Sequence, residues 1–224
     1  MPAIETVVFD LDTTLCENTQ SDEEIHEAVF SRAGVEPQFT VEAVRNVDPA
    51  EIPTVESDQA FYEQLYRAVS GGLTDEQYRR LAETTVAVVD ETDVEFRAGA
   101  REGLEYAREQ YDSLGMLTYG DPETQRAKLD RLGIADLFDA VVVCGPKTDI
   151  AGKPDPEAFQ AVLDRLEAVP ETSIYIGDSL QGDIGGANNV GMQSAWVPGE
   201  TPPADPDPEP THVLESPAEV REIL

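Results

Sequence analysis

Four short segments hold residue types at spacings that chemistry can use. They are Asp10-Leu11-Asp12-Thr13-Thr14-Leu15, Leu117-Thr118, Gly152-Lys153-Pro154, and Gly177-Asp178-Ser179 followed by Asp183. Together they offer a nucleophile, an acid/base, a hydroxyl, a cation and metal-binding carboxylates, the equipment of Mg²⁺-dependent phosphoryl transfer. Asp10 is the candidate nucleophile. A carboxylate is already ionised at neutral pH and needs no activating base. Its attack on phosphorus would give an aspartyl-phosphate that water then hydrolyses. Asp12, two residues on, would protonate the leaving oxygen and later take a proton from the attacking water. The plainer reading of either residue is a helix cap or an Asx turn after a strand. A lone Asp-x-Asp in so acidic a chain would carry no weight; four segments in this order do.

A dianionic phosphate cannot approach several carboxylates unless a bound cation reverses the local sign. Mg²⁺ prefers oxygen ligands, and Asp10, Asp178 and the backbone carbonyl of Asp12 are the natural set. Asp183 would ligand the metal directly or through water, or merely cap the next helix. Thr118 would hold phosphoryl oxygens through its hydroxyl; alone it would read as an ordinary strand-terminal threonine. Lys153 would neutralise charge developing on the transferred group. Only three lysines occur, Lys128, Lys147 and Lys153. Lys147 lacks the Gly-Lys-Pro-Asp-Pro context and reads as surface.

The segments must be held by the elements around them. Thr6 to Phe9 is a short apolar run ending at Asp10, as are Leu114 to Leu117, Ala140 to Cys144, Ser173 to Ile176 and Ser194 to Val197. Helical patterns separate the last four. Asp121-Pro122 and Asp155-Pro156 each place an N-cap before a first-turn proline. This alternation predicts an α/β fold with a parallel sheet covered on both faces. Ligands bind such sheets beyond the carboxyl ends of the strands, where Asp10, Thr118 and Asp178 fall. From about Cys16 to Phe96 the pattern is helical with no convincing strand, including a capping box at Thr74–Gln77. That predicts an all-helical insertion above the sheet's carboxyl edge. Gly199 to Pro210 reads as a surface loop, His212 to Leu214 as an edge strand, and Ser216-Pro217 as the cap of a short terminal helix.

The 224 residues carry 46 acidic and 15 basic side chains, a formal charge of −31. Nucleic acid and anionic membrane are polyanions, so neither is an expected partner. Self-repulsion at this density calls for screening, and the composition resembles that of proteins adapted to concentrated salt. Two cysteines, Cys16 and Cys144, make no disulfide scaffold. Cys16 beside the first segment reads more readily as a small buried residue than as a reactive thiol. The start of the chain lacks a signal-peptide pattern and no run is long enough to span a bilayer, so a cytoplasmic location is expected. The two histidines, His26 and His212, have no ligand companions for a zinc site. Neither a nucleophile elbow nor a P-loop occurs.

The four segments resemble the motifs of the haloacid dehalogenase (HAD) superfamily, and the resemblance spans nearly the whole chain. It implies a Rossmann-like parallel-sheet core over 1–15 and 97–224, with an all-helical type 1 cap over 16–96. It implies Asp10 as nucleophile and Mg²⁺ ligand, Asp12 as general acid/base, Thr118 and Lys153 as phosphoryl binders, and Asp178 with Asp183 at the metal. The dehalogenases lack an acid at the position of Asp12, so phosphoryl chemistry is implied over carbon–halogen cleavage. The nearest general likeness is to phosphoglycolate-phosphatase-like enzymes acting on small phosphorylated molecules, as monomer or homodimer. A mutase of the β-phosphoglucomutase kind and a non-catalytic binding protein of the same fold are the rivals. Thr13 stands where many members have glycine, and a β-branched residue would be strained there if the site needs φ > 0. Arg32, Arg45 and Arg67 are scarce cations of the insertion, read as surface ion pairs before substrate contacts. Phe61, Tyr62 and Tyr66 read as core of that insertion before a dimer contact.

Overall fold

The apolar runs that end in chemistry form the strands of one sheet. The computed structural model describes residues 3–47, 52–53, 55, 57–111, 113–145, 147–199 and 202–224. Glu200 and Thr201 of the expected surface loop lie outside them. In chain order the elements are β1 (Thr6–Phe9), β2 (Cys16–Asn18), α1 (Asp22–Ala33), α2 (Val41–Arg45), α3 (Asp58–Val69), α4 (Asp75–Val88) and β3 (Val94–Phe96). There follow α5 (Ala100–Gln110), β4 (Ser113–Tyr119), α6 (Pro122–Leu132), β5 (Ala140–Cys144), α7 (Pro156–Leu166) and β6 (Ser173–Gly177). A π-helical turn (Leu180–Gly185) leads into α8 (Gly186–Val190), then β7 (Gln193–Trp196), β8 (His212–Val213) and α9 (Val220–Ile223). Among the described residues no helix is long and apolar enough to cross a membrane.

The six-stranded sheet has the order β5-β4-β1-β6-β7-β8, with every pair parallel. Side chains alternate between its faces, as a period of two requires. Val7, Phe9, Leu114, Met116, Ile174 and Ile176 enter one apolar cluster with α5, α6 and α9. Val8, Leu117, Val142 and Tyr175 enter the other with α7 and α8. Both faces are therefore dry, which is why these strands read as continuous apolar runs. The Rossmann-like α/β core is as the sequence implies.

The chain divides into two compact units, Met1–Asn18 with Val94–Leu224, and Thr19–Asp93. The second has its own core, in which Phe30, Phe39, Tyr66, Tyr78 and Leu81 are buried and Tyr62 packs against them. Its helices start on side-chain caps at Ser21, Thr40, Ser57 and Thr74. One expectation is corrected here. The span 16–96 is not wholly helical: β2 and β3 pair antiparallel at its two ends, Cys16 opposite Phe96 and Asn18 opposite Val94. Three residues are too few to display a strand period, and the partners lie far apart in sequence. This ribbon belongs with the sheet unit.

Candidate active site

Strand order creates the site. From β1 the chain passes to β4 and β5 on one side, then to β6, β7 and β8 on the other. The carboxyl end of β1 is thus a topological switch point, where connections diverge and leave a crevice. Asp10 follows β1 and donates its N–H to the Ile176 carbonyl at 2.9 Å. Thr118 lies near the end of the neighbouring β4, and Asp178 just beyond β6 on the other side. Asp10 and Asp183 are almost wholly buried. Oxygens of Asp10, Asp178 and Asp183 all lie within 4.8 Å of one another.

Lys153, just before α7, is the cation set among these acids. Its Nζ donates to Asp10 Oδ1 at 2.6 Å and to Asp183 Oδ1 at 2.7 Å, and lies 3.2 Å from Tyr175 Oη. Its side chain is only 9% exposed, so the ammonium has exchanged water for carboxylates. Burial opposes that charge, but Asp10, Tyr175 and Asp183 outweigh it and hold the lysine well above its ordinary pKa. Asp10 is raised as well, which for a carboxyl disfavours the charge. Burial pushes it up, Lys153 pulls it back, and Asp183 with Asp178 raise it again, to about 8. Burial likewise raises Asp178. One lysine therefore does not balance three acids. Asp183 sits inside the π-helical turn and accepts the Ser179 N–H on Oδ2 at 2.9 Å. It is a buried member of the cluster, not the cap of an exposed helix.

The Asp12 carboxylate is held elsewhere, on α6. Lys128 Nζ donates to Oδ1 at 2.8 Å and Gln125 Nε2 to Oδ2 at 2.7 Å. Gln125 Nε2 also donates to Thr118 Oγ1 at 2.6 Å. Gln125 and Lys128 are missing from the sequence-derived set. They occupy the same helical stripe as the buried Leu129 and Leu132, so by helical spacing their side chains had to turn inward. A glutamine and a lysine at positions of an apolar stripe were the available signal. Tyr175 was also missed, hidden in an apolar strand; its hydroxyl donates to the Leu117 carbonyl at 2.9 Å.

Two backbone positions bear on the geometry. Thr13 has φ 56°, so a β-branched residue does occupy the left-handed region between Asp12 and Thr14. Arg97 holds it there, donating to the Thr13 carbonyl at 2.6 Å and also to the carbonyls of Val197 and Pro198. Thr13→Gly is expected to raise stability by about 1 kcal/mol, read from the denaturation midpoint. A fall would mean that the Thr13 hydroxyl, which donates to the Asp12 carbonyl at 2.7 Å, outweighs the strain. At Gly177 an added Cβ would stand 2.5 Å from the Asp183 carboxyl carbon. Gly177→Ala should push that carboxylate off Lys153 and reduce kcat about 10²-fold in a protein that still melts cooperatively. Full activity would show that Asp183 can shift without consequence.

The remaining candidates sort plainly. Cys16 is buried, and burial first, then Asp12, pushes its thiol up to about 12, so it is no thiolate. Lys147 is exposed and pairs with Asp121 at 3.0 Å. Arg45 pairs with Asp22 and Glu23, and Arg67 with Glu63 and Asp75, all within the inserted unit.

Comparison with known proteins gives the family of the chain. The model of the haloacid dehalogenase-like hydrolase family matches residues 4–191, and the chain belongs to that family. A phosphoserine phosphatase of Thermus thermophilus is 36% identical over 107 residues, which is 48% of this chain and 42% of that protein. A glyceraldehyde 3-phosphate phosphatase of Pyrococcus furiosus is 37% identical over 100 residues, 44% of this chain and 40% of that protein. The matched stretches thus span about two fifths of these relatives' length. Among solved structures, the HAD-hydrolase YfnB from Bacillus subtilis, bound to magnesium, superposes with a TM-score of 0.72. It is 21% identical and the match covers 100% of this chain and 99% of that one, a likeness of fold.

Proposed function

We propose that this chain is a Mg²⁺-dependent phosphatase of small organic phosphate monoesters, working through an aspartyl-phosphate on Asp10. One observation carries the reading: a buried carboxylate at the switch point, bonded to a buried lysine and clustered with two further acids. Membership of the hydrolase family and the phosphatase names of two relatives support it. The inserted helical unit is read as the family's cap.

The donor set fits a hard divalent cation. Three oxygen-bearing side chains converge, and burial, with the neighbouring acids, raises Asp10 toward protonation unless a cation offsets it. Asp10, Asp178 and the Asp12 carbonyl would hold Mg²⁺, with Asp183 beside them. When bound, it would offset the charge of the phosphoryl group. The protein's own steps follow. Lys153 places a positive charge beside the Asp10 oxygens, where the phosphoryl group is transferred. Thr118 accepts from Gln125, which leaves its hydroxyl hydrogen to donate to a phosphoryl oxygen. Asp10 attacks phosphorus; the ester P–O bond breaks as Asp12 gives its proton to the leaving oxygen. Asp12 then takes a proton from water, whose oxygen attacks phosphorus, and the bond to Asp10 breaks to release inorganic phosphate.

The test is hydrolysis of p-nitrophenyl phosphate in about 2 M KCl, where screening lengths are only a few ångströms. EDTA-treated protein is expected to be silent and to recover with Mg²⁺. Turnover indifferent to EDTA would remove the metal from the reading. Silence of a folded, Mg²⁺-loaded sample toward every phosphate ester would remove the phosphatase.

A further inference from the structure

Lys128 is a buried ammonium whose charge partner is Asp12, with 9% of its side chain exposed in a chain where lysine is scarce. A charge is buried at that cost only when its partner is well placed. Gln125, 1% exposed, lies one turn earlier on α6. Its Nε2 faces Asp12 Oδ2 and, at 3.1 Å, the Tyr119 carbonyl, both of which only accept. The surroundings therefore fix which end of the amide is nitrogen. Its two hydrogens are shared among these acceptors and Thr118 Oγ1, 2.6 Å away. Each Asp12 oxygen thus has one donor from α6, and one side chain ties it to the hydroxyl assigned to the phosphoryl group. Each carboxylate oxygen has two lone pairs; Oδ1 also receives the Cys16 thiol at 4.0 Å, so the one left for proton exchange is on Oδ2.

We propose that Gln125 and Lys128 are positioning residues that fix the Asp12 carboxyl relative to Thr118, and so aim the proton transferred to the leaving oxygen. This rests on the phosphatase reading above. A purely structural pair would hold α6 on the sheet and affect all substrates alike. An aiming pair has a different signature. A nitrophenolate departs without a proton, whereas an alkoxide must be protonated as the P–O bond breaks. The value of kcat/KM reports that first transfer.

The experiment measures kcat/KM for p-nitrophenyl phosphate and for an alkyl phosphate such as glycerol phosphate, both with Mg²⁺. Wild type is compared with Gln125→Leu, Lys128→Met, Lys128→Arg and the reference Asp12→Asn. Folding is checked by circular dichroism and melting. Gln125→Leu and Lys128→Met are expected to lose about 10²-fold on the alkyl ester, at least about tenfold more than on the nitrophenyl ester. Asp12→Asn should show the same bias and Lys128→Arg a partial rescue. Equal losses on both esters, or no loss on either, in an active wild-type background would overturn the positioning role alone. A wild type inactive on both esters would overturn the phosphatase reading, and this proposal with it.

Discussion

Asp10→Asn is expected to abolish turnover, by at least about 10⁴-fold, and at the same time to make the metal-free protein more stable. The first effect follows from removing the nucleophile, for which neither Asp12, held on α6, nor Asp178, beyond β6, can substitute. The second follows from linkage. In the folded, metal-free chain burial and the neighbouring acids hold the Asp10 carboxyl at about 8, against 3.8 for the ordinary group. A carboxyl raised in this way lets the fold keep its full stability only below about pH 4, and stability drains away as pH rises through about 8. The wild type should therefore fall relative to Asp10→Asn across that window, by up to about 1.4 kcal/mol per pH unit until about pH 8. Paired melting curves with EDTA, from pH 5 to 9 in concentrated KCl, measure it. Adding Mg²⁺ should close the gap by stabilising the wild type. A variant that stays active, or parallel stability profiles for the two proteins, would contradict this account of Asp10.

Lys153→Met should be the most damaging single change to stability and should also lower activity sharply. The ammonium touches Asp10 at 2.6 Å and Asp183 at 2.7 Å, and both carboxylates are buried. Taking one partner from a buried ion cluster leaves the rest uncompensated, typically costing about 3–5 kcal/mol. Loss of the cation beside the phosphoryl site should lower kcat by about 10³-fold. Lys153→Arg is not expected to restore either quantity, because a planar guanidinium does not fit a site built around a compact ammonium. Denaturation midpoints and kcat on p-nitrophenyl phosphate decide the matter. Part of the lost stability should return on acidification, as Asp10 takes up a proton. A Lys153→Met protein within tenfold of wild type would mean that Lys153 serves the fold and not the reaction.

Much of the sheet could be read from local order. The runs Thr6–Phe9 and Ala140–Cys144 are strands at those bounds, because both are continuous and mostly β-branched, the first buried on both faces and the second buried at alternate residues. The helices α4 and α6 begin at Thr74 and Asp121, since a capping side chain marks a start without long-range help. The ribbon of β2 and β3 was hidden for the opposite reason. Neither strand carries a pattern, and only the closing of the chain at Leu11–Asn18 and Val94–Arg97 gives them partners. Gln125 escaped because its chemistry depends on what α6 is laid against.

The sequence by itself determined the α/β class, the strand ends that carry Asp10, Thr118 and Asp178, and the acids and cation available there. These are local facts: residue type, short-range periodicity and capping are encoded in neighbours along the chain. Only the tertiary structure decided how the charges are shared. Asp183 lies on Lys153 and not at a free helix end, and Asp12 is bound to Gln125 and Lys128. Those contacts join residues up to 116 positions apart, and their energy depends on burial and distance, which exist only once the sheet has assembled.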